Sequence, residues 1–294
     1  MNKNAELFCR INCSLGEGPV WDHVNHRLYW VDIVEKKIHS CEASADAILG
    51  KPIELHQMVG AFSFRSQGGM IAAIEDGFVG IDSSTHQVTP LAEVEQDMPT
   101  IRFNDGKCDP AGRFWAGSMA KDGSGTSGSL YSIDKNHHVV RHLDQVGISN
   151  GLCWNSKADT LYFIDSALSS VQAFDYDLVT GTITNPRTVI TFDSKEGLPD
   201  GMTIDQEGML WIAHWGGWQV SRWNPQTGKK LGAVSVPAEN VTSCVFGGHK
   251  MNQLYITTAS LGIDSNHLAK QPHAGSVFVV ELDVAGSVLH TFAG

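Results

Sequence analysis

The feature that most constrains the fold is an internal repeat. A short segment rich in Gly, Asn and Asp, followed by an apolar strand, recurs six times along the 294 residues. Successive copies start roughly 42 to 50 residues apart, a period typical of four-stranded propeller blades. The sequence therefore predicts one closed repeat architecture rather than two unrelated domains. Four clear copies lie near Glu17, Asn104, Asn150 and Asp200, and two weaker copies lie near Gly60 and Thr242.

Further short apolar segments and turn signals, such as Asn-Pro-Gln-Thr-Gly at 224–228, separate the copies. No long stretch has the apolar spacing of a helix. We therefore predict an all-β fold in which residues 1–294 form a single domain, a six-bladed β-propeller with four-stranded blades around a central channel. A strand at residues 6–11 is expected to join the last blade near residues 275–280 and so close the ring.

The composition narrows the partners and the cellular setting. A formal net charge of −11 disfavours nucleic acid and anionic membranes as partners, because both attract a basic surface. No apolar run of about 18 residues is present, so no membrane span is predicted. The six cysteines are widely spaced, without a Cys-x-x-Cys pair, which predicts free, buried thiols in a reducing cytoplasm. The N-terminus lacks the apolar stretch of a signal peptide, and the composition leaves the oligomeric state open.

The repeat is expected to bring distant polar residues together. In a propeller, equivalent positions at the start of each inner strand meet at one mouth of the channel. Carboxylate and carboxamide oxygens suit hard cations such as Ca²⁺, Mg²⁺ or Mn²⁺, and Zn²⁺ is also compatible. Asn and Asp before Gly form turns in any β-protein, but Glu is a poor turn residue, so the set favours a cation site. The ring positions are Glu17, Gly60, Asn104, Asn150, Asp200 and Thr242.

Two further candidates lie near the channel mouth and in the fifth copy. Arg102, two residues before Asn104, could hold a polar substrate through paired hydrogen bonds or form an ion pair between blades. The local sequence does not separate these two roles. Trp211, Trp215 and Trp218 could form a substrate wall, although core packing is favoured for them.

Two other patterns favour structural roles. The Gly-x-Gly-x-x-Gly match at residues 123–128 precedes a strand instead of opening a helix, so it predicts a flexible loop rather than a dinucleotide site. His137, His138 and His214 lack the spacing of a zinc site and are predicted to lie at the surface or in loops.

Five motifs stand in a recognisable order along nearly the whole chain. They are Leu-Gly-Glu-Gly-Pro at 15–19, Arg-Phe-Asn-Asp-Gly-Lys at 102–107, Ile-Ser-Asn-Gly-Leu at 148–152, Pro-Asp-Gly-Met at 199–202 and Thr-Ser-Cys-Val-Phe-Gly-Gly at 242–248. Together they resemble the regucalcin (senescence marker protein-30)/gluconolactonase family. The resemblance implies a six-bladed propeller, one divalent metal cation in the channel (Ca²⁺, Zn²⁺, Mg²⁺ or Mn²⁺) and hydrolysis of sugar lactones.

The resemblance also implies roles for individual residues. It makes Glu17, Asn150 and Asp200 the metal ligands and moves Asn104 from the cation site to the substrate, beside Arg102. Asp200 becomes the proton acceptor and donor. Family members place a further substrate-binding Glu after a Gly-Thr-Met-Ala motif.

In this chain the corresponding motif is Gly-Ser-Met-Ala at 117–120, followed by Lys121 and Asp122. Asp122 takes the place of the family's Glu, and the loop beyond it is shorter than in the vertebrate members.

The predicted reaction is metal-dependent hydrolysis of an aldonolactone, such as a glucono- or arabinonolactone, to the aldonic acid. Either the Asp200 carboxylate or a metal-bound hydroxide does the proton chemistry. A non-enzymatic calcium-binding protein and a phosphotriesterase-like hydrolase are the alternatives. Arg102 favours the lactonase, because ion storage has no use for a guanidinium beside the metal. The preferred lactone, its ring size and the physiological metal stay open.

Overall fold

The computed structural model describes residues 2–44 and 47–294, and almost all regular structure in them is β-strand. Two short strands at the N-terminus, β1 (Asn2–Asn4) and β2 (Glu6–Cys9), precede the first blade. Blade 1 contains β3 (Gly16–Asp22), β4 (Arg27–Asp32), β5 (Lys37–Glu42) and β6 (Ile53–Glu54). Blade 2 contains β7 (Val59–Phe64), β8 (Met70–Ile74), β9 (Gly77–Ile81) and β10 (Val88–Glu93). Blade 3 contains β11 (Ile101–Cys108), β12 (Phe114–Ala120), β13 (Gly128–Ile133) and β14 (Val139–Val146).

The second half of the chain continues the pattern. Blade 4 contains β15 (Ser149–Trp154), β16 (Thr160–Asp165), β17 (Ser170–Tyr176) and β18 (Ile183–Thr191). Blade 5 contains β19 (Leu198–Ile204), β20 (Leu210–Trp215), β21 (Gln219–Asn224) and β22 (Lys229–Ser235). Blade 6 contains β23 (Asn240–Gly247), β24 (Gln253–Ala259) and β25 (Val277–Glu281) from this part of the chain. Among the residues that the structure describes, helical structure is confined to two 3-10 turns, Ser166–Leu168 and Ser194–Glu196, and a one-turn helix α1 (Ser265–Leu268).

The strands of each blade pair antiparallel in sequence order, and the inner strands β3, β7, β11, β15, β19 and β23 contact one another around the channel. The predicted six-bladed, four-stranded propeller is therefore confirmed. Among the described residues, no helix has the length and apolar character needed to cross a membrane.

The ring closes through the N-terminus, as predicted. Strand β2 pairs antiparallel with β25, with Glu6 opposite Val279 and Leu7 opposite Phe278, and so supplies the fourth strand of blade 6. Strand β1 adds a parallel fifth strand to blade 5, which the sequence did not predict. The first residues of the chain therefore join the last two blades.

The C-terminal tail was not predicted either. The tail forms backbone hydrogen bonds with the inner strands at the ends that lie away from the ring residues. In the tail, Phe292 N donates to Phe64 O at 2.8 Å, and Ala285 O accepts from Gln206 N at 2.8 Å. Phe292 is fully buried in the apolar cluster between blades 2 and 3. The tail thus ties blades 2, 3 and 5 together across that end of the channel.

The repeat also builds the same polar anchor in two blades. Asp109, at the end of the inner-strand segment of blade 3, accepts a hydrogen bond from Trp115 Nε1 at 2.9 Å. Asp205 accepts one from Trp211 Nε1 at 2.9 Å in blade 5. A buried indole N–H needs such a partner, so each Asp holds its inner strand to the next strand outward.

One structural prediction was wrong. His214 lies on β20 and is fully buried, instead of lying at the surface or in a loop. Its Nε2 is 2.5 Å from Ser221 Oγ and its Nδ1 is 2.9 Å from Glu196 O, so local hydrogen bonds satisfy both ring nitrogens. Burial lowers the pKa of His214 to about 4, because the charged imidazolium loses its hydration there.

The other structural predictions stand, except that core packing, favoured for all three tryptophans of the fifth copy, holds for Trp211 alone. His137 and His138 are exposed, the Gly-rich segment 123–128 is a loop that leads into β13, and all six cysteines are free and buried. Trp211 packs in the core, whereas Trp218 is largely exposed.

Deleting residues 1–12 removes the outer strand of blade 6 and exposes the edge of β25. We expect Tm to fall by about 10 °C or more, since each kcal/mol shifts Tm by about 2–4 °C in domains of this size. Deleting only residues 1–4 removes β1 but keeps β2, so this control should lose a few degrees at most. Calorimetry of both variants checks this, and equal Tm values for the two deletions would contradict the role of β2.

Candidate active site

Every inner strand is irregular at the position of the ring. Its pairing register with the second strand shifts there, for example between Glu17 and Val20 in blade 1 and between Pro199 and Met202 in blade 5. The same shift occurs in the other four blades. Such bulges re-aim side chains near functional sites. The ring side chains therefore point at the channel mouth because the strands bulge there.

Glycines after the ring residues allow neighbouring blades to approach each other. A Cβ at Gly151 would lie 2.8 Å from the carbonyl oxygen of Asp200 and 2.5 Å from Cβ of Met202. A Cβ at Gly201 would collide with Ser243 of the next blade. The ring is narrow because these contacts leave no room for a side chain.

The structure brings all of the predicted site residues to one cavity of about 350 Å³ at the channel mouth. Two of the six ring positions do not take part. Thr242 is buried, and its hydroxyl donates to Gly16 O at 2.5 Å, so it is structural. Gly60 packs against the backbone of Phe103 and has no side chain to offer. The predicted residues that line the cavity are Glu17, Arg102, Asn104, Asp122, Asn150 and Asp200.

Asn150 is held in an orientation that suits a cation. Its Nδ2 donates to Ser166 Oγ at 3.0 Å, and that hydroxyl donates to Pro199 O at 2.6 Å. Within the part of the chain that the structure describes, its buried Oδ1 has no hydrogen-bond partner. A buried acceptor without a partner costs about 1–3 kcal/mol, so this oxygen fits the role of a metal ligand.

The buried carboxylates around Asn150 carry excess negative charge. Burial, and then the nearby charges of Asp200 and Asp105, raise the pKa of Glu17 well above its ordinary value. Burial and the charge of Asp105 do the same for the pKa of Asp200. Arg102 and Lys107 are the cations beside these three carboxylates in the channel wall, whereas Lys121 at the cavity rim is paired with Glu75, so three carboxylates face two positive charges. A divalent cation with oxygen ligands fits this imbalance.

Asp105 is a candidate functional residue that the sequence reasoning missed. It follows Asn104 and is buried in the channel wall, and burial raises its pKa. Blades 1, 4 and 5 carry glycine at the equivalent position, so a comparison of the copies could have identified it. The Lys107 ammonium, which donates to Met202 O at 2.7 Å, partly offsets its charge.

Arg102 and Asn104 form a separate polar pair on the cavity wall. Arg102 Nη1 donates to Asn104 Oδ1 at 2.7 Å and to Phe103 O at 3.0 Å, and Asn104 Nδ2 donates to Ser149 O at 2.7 Å. Over residues 2–44 and 47–294, Arg102 has no acidic group within ion-pair distance, so the interblade ion pair is not formed. Burial lowers the pKa of Arg102 to about 10, which leaves the guanidinium charged near neutral pH.

The rim and the apolar wall complete the cavity. Asp122 is exposed at the rim, where its Oδ1 accepts from Ser124 N at 2.9 Å and from Ser124 Oγ at 2.7 Å. Those hydrogen bonds lower the pKa of Asp122. Lys121 lines the cavity beside it and pairs with Glu75. Of the three tryptophans, only Trp215 lines the cavity, together with the apolar side chains of Leu15, Met119, Ile148, Leu198 and Leu261.

The fold and the site together define a class of protein: a six-bladed propeller with a cluster of buried oxygen donors, suited to a cation, at one mouth of its channel. Residues 15–260 match the family described as SGL: SMP-30/Gluconolactonase/LRE-like region. The chain belongs to this SMP-30/gluconolactonase/LRE-like family.

Similar proteins cover the chain almost completely. Regucalcin of Danio rerio is 44% identical over 99% of this chain and 98% of its own length, and human regucalcin is 41% identical over 96% of each. The structure described as a calcium-binding protein, regucalcin, from Agrobacterium tumefaciens has a TM-score of 0.94, with 27% identity over 99% of this chain and 98% of its own. A luciferin-regenerating enzyme has a TM-score of 0.91, with 31% identity over 99% of this chain and all of its own.

Ser166 offers a direct test of the cation site. Ser166→Ala removes the hydroxyl that orients Asn150, and it should weaken Ca²⁺ binding by about 10- to 100-fold, the usual effect of losing a group that positions a ligand. Isothermal titration calorimetry measures this.

Two variants control for the loss of a buried serine. Ser170→Ala, in the same blade but outside the cavity, should leave the affinity unchanged, and Ser166→Thr should retain most of it. Equal affinity in Ser166→Ala and the wild type would remove Asn150 from the ligand set.

Proposed function

We propose that this protein is a metal-dependent lactonase that hydrolyses a sugar lactone, an aldonolactone such as a glucono- or arabinonolactone, to the aldonic acid. The observation that carries the proposal is the juxtaposition of the unpartnered Asn150 Oδ1, two buried carboxylates and the Arg102 guanidinium in one cavity. Membership of a family that includes gluconolactonases supports it. A structural relative described as a gluconolactonase of Xanthomonas campestris shares the fold, with a TM-score of 0.74 and 18% identity.

Glu17, Asn150 and Asp200 would hold one divalent cation. When bound, the cation supplies a Lewis acid that polarises the lactone carbonyl. Oxygen donors alone suit Ca²⁺, Mg²⁺ or Mn²⁺, and Zn²⁺ also accepts carboxylate oxygens. The Agrobacterium relative, described as calcium-binding, makes Ca²⁺ the first ion to test.

The cavity has the size and the polarity for a single sugar ring. Its volume of about 350 Å³ is at the small end of the range of ligand sites, about 300–1,000 Å³. Arg102 and Asn104 would orient the hydroxyl groups or the ring oxygen by hydrogen bonds, and Asp122 at the rim would accept from an outer hydroxyl. Trp215 presents an apolar surface for the C–H face of the ring.

Asp200 is the proposed proton carrier. It accepts a proton from the attacking water as the water oxygen bonds to the acyl carbon, and it returns that proton to the ring oxygen as the acyl C–O bond breaks. Burial and the charge of Asp105 raise the pKa of Asp200, which makes it a stronger base. Cation binding opposes this effect, so Asp105 helps to keep the carboxylate basic.

A non-enzymatic calcium-binding protein is the second candidate, because a relative is described by calcium binding alone. Ion binding uses Glu17, Asn150 and Asp200 but gives no role to a buried guanidinium at the cavity wall. A phosphotriesterase-like hydrolase would use the same ligands with a more apolar cleft. Arg102 and Asn104 therefore favour the sugar lactone.

We also infer a cytoplasmic setting without nucleic-acid or membrane partners. The six free, buried thiols fit a reducing compartment. The net charge of −11 repels nucleic acid and anionic lipid surfaces.

A pH-indicator assay with a panel of aldonolactones tests the function. The aldonic acid is a carboxylic acid and is fully ionised at neutral pH, so each turnover releases a proton that the indicator reports. We expect acid release that stops with a chelator and returns with Ca²⁺ or another divalent ion. Acid release that a chelator does not reduce would contradict the metal dependence, and no turnover of any lactone despite Ca²⁺ binding would favour the binding-only alternative.

Asp200→Asn should lower kcat/KM by at least about 100-fold, the usual range for a lost general base, with an unchanged circular dichroism spectrum. Asp175→Asn is the matched control, because Asp175 is exposed on β17 and pairs with Arg187 outside the cavity. Near-normal turnover by Asp200→Asn would exclude Asp200 as the proton carrier.

A further inference from the structure

A second group of metal-binding side chains lies in blade 1, outside the cavity. Cys13 precedes β3, Asp32 ends β4, and His39 lies on β5. Their potential ligand atoms, one thiol sulfur, one carboxylate oxygen and one imidazole nitrogen, lie within 4.8 Å of one another. Cys13 and Asp32 are buried and His39 is half-buried, so solvent reaches the group beside the imidazole.

The repeat provides an internal comparison for this group. Asp32 accepts hydrogen bonds from Ser14 N at 2.9 Å and Leu15 N at 3.1 Å. In blade 4, Asp165 accepts from the backbone nitrogens of residues 147 and 148, both at 2.9 Å. The Asp therefore has a structural role that two blades share: it holds the segment that leads into the inner strand.

Cys13 and His39, the other two members of the group, have no counterparts in blade 4. The position of Cys13 is occupied in blade 4 by Val146, and that of His39 by Gln172. The register confirms the second match, because His39 lies opposite Trp30 as Gln172 lies opposite Phe163. Blade 4 therefore forms with the Asp but without the thiol and the imidazole, so the pattern that the two blades share does not account for Cys13 and His39.

The local contacts prepare these side chains to bind an ion. Backbone amides fix the Asp32 carboxylate: Oδ1 accepts from two of them, at Leu15 and Glu35, and Oδ2 accepts from Ser14 N at 2.9 Å. Trp30 Nε1 donates to Cys13 Sγ at 3.4 Å and so fixes the position of the sulfur. The Trp30 ring also stacks on His39, with centroids 5.6 Å apart, and so limits its rotation. Oriented ligands of this kind raise metal affinity.

We propose that Cys13, Asp32 and His39 form a second metal site, which takes a zinc-class ion with water completing the coordination. Sulfur, nitrogen and oxygen donors in one set are typical of Zn²⁺ and unsuited to Ca²⁺ or Mg²⁺. Binding replaces the thiol proton, which leaves to solvent as the S–metal bond forms. Leu15, two residues after Cys13, lies in the cavity wall, so one short segment connects the two sites.

Titration of the reduced full-length protein with Cd²⁺, a spectroscopic substitute for Zn²⁺, tests the proposal. A Cd–thiolate bond gives an ultraviolet charge-transfer band, and the oxygen-only site at the channel mouth gives none. We expect a saturable band at one equivalent of Cd²⁺ that Zn²⁺ removes by competition. Cys13→Ser should abolish the band, and Cys9→Ser, at another buried free thiol, should leave it unchanged.

His39→Gln introduces the residue of blade 4 at a half-buried position and tests the site without altering the core. It should weaken Cd²⁺ binding by about 10-fold or more, while Ca²⁺ binding at the channel mouth stays unchanged. The proposal is overturned by the absence of a band in the wild type, by a band that persists in Cys13→Ser, or by equal Cd²⁺ affinity in His39→Gln. None of these readouts depends on lactone turnover.

Discussion

The close approach of six inner strands around one channel is the constraint on which the rest of the structure depends. Where those strands come nearest, each one bulges, and the bulge places one residue per blade at the mouth. The next residue must then be very small in most blades, because Gly151 and Gly201 leave no space for a Cβ. Packing thus creates a ring of inward side chains before any chemistry is considered.

The chemistry available at the mouth depends on the different residue types that the blades carry at the ring position. Six equal acidic positions would repel one another, and six apolar ones would bind nothing. Here Glu17 and Asp200 supply charge, Asn150 supplies a neutral oxygen, and Thr242 returns its hydroxyl to the backbone. The carboxylate of Asp105, one residue deeper, then raises the pKa of both acidic ring members. The fold is symmetric, but the electrostatic field at its mouth is not.

Sequence reasoning succeeded wherever the repeat carried the information. The period predicted the blades, the ring position located Glu17 and Asp200, and the leftover strand at the N-terminus predicted closure onto β25. It failed where a single copy departs from the others. The C-terminal tail has no equivalent in any blade, and Ser166 orients Asn150 from a 3-10 turn that the repeat does not predict. His214 was misplaced because its partners, Ser221 and Glu196, are brought together only by folding.

Recurrence between blades also separates polar side chains with a structural role from candidates for a functional one. Asp32 and Asp165 hold equivalent backbone amides, and Asp109 and Asp205 hold equivalent indoles, so their recurrence is explained by the blade itself. A polar side chain that stands in one blade only, and is buried, has no such explanation. Asp105 and Ser166 belong to this second kind, and the Cys13 thiol has no counterpart in blade 4. The residues that the blades do not share are therefore the candidates for chemistry, and both proposed metal sites rest on the comparison of one blade with another.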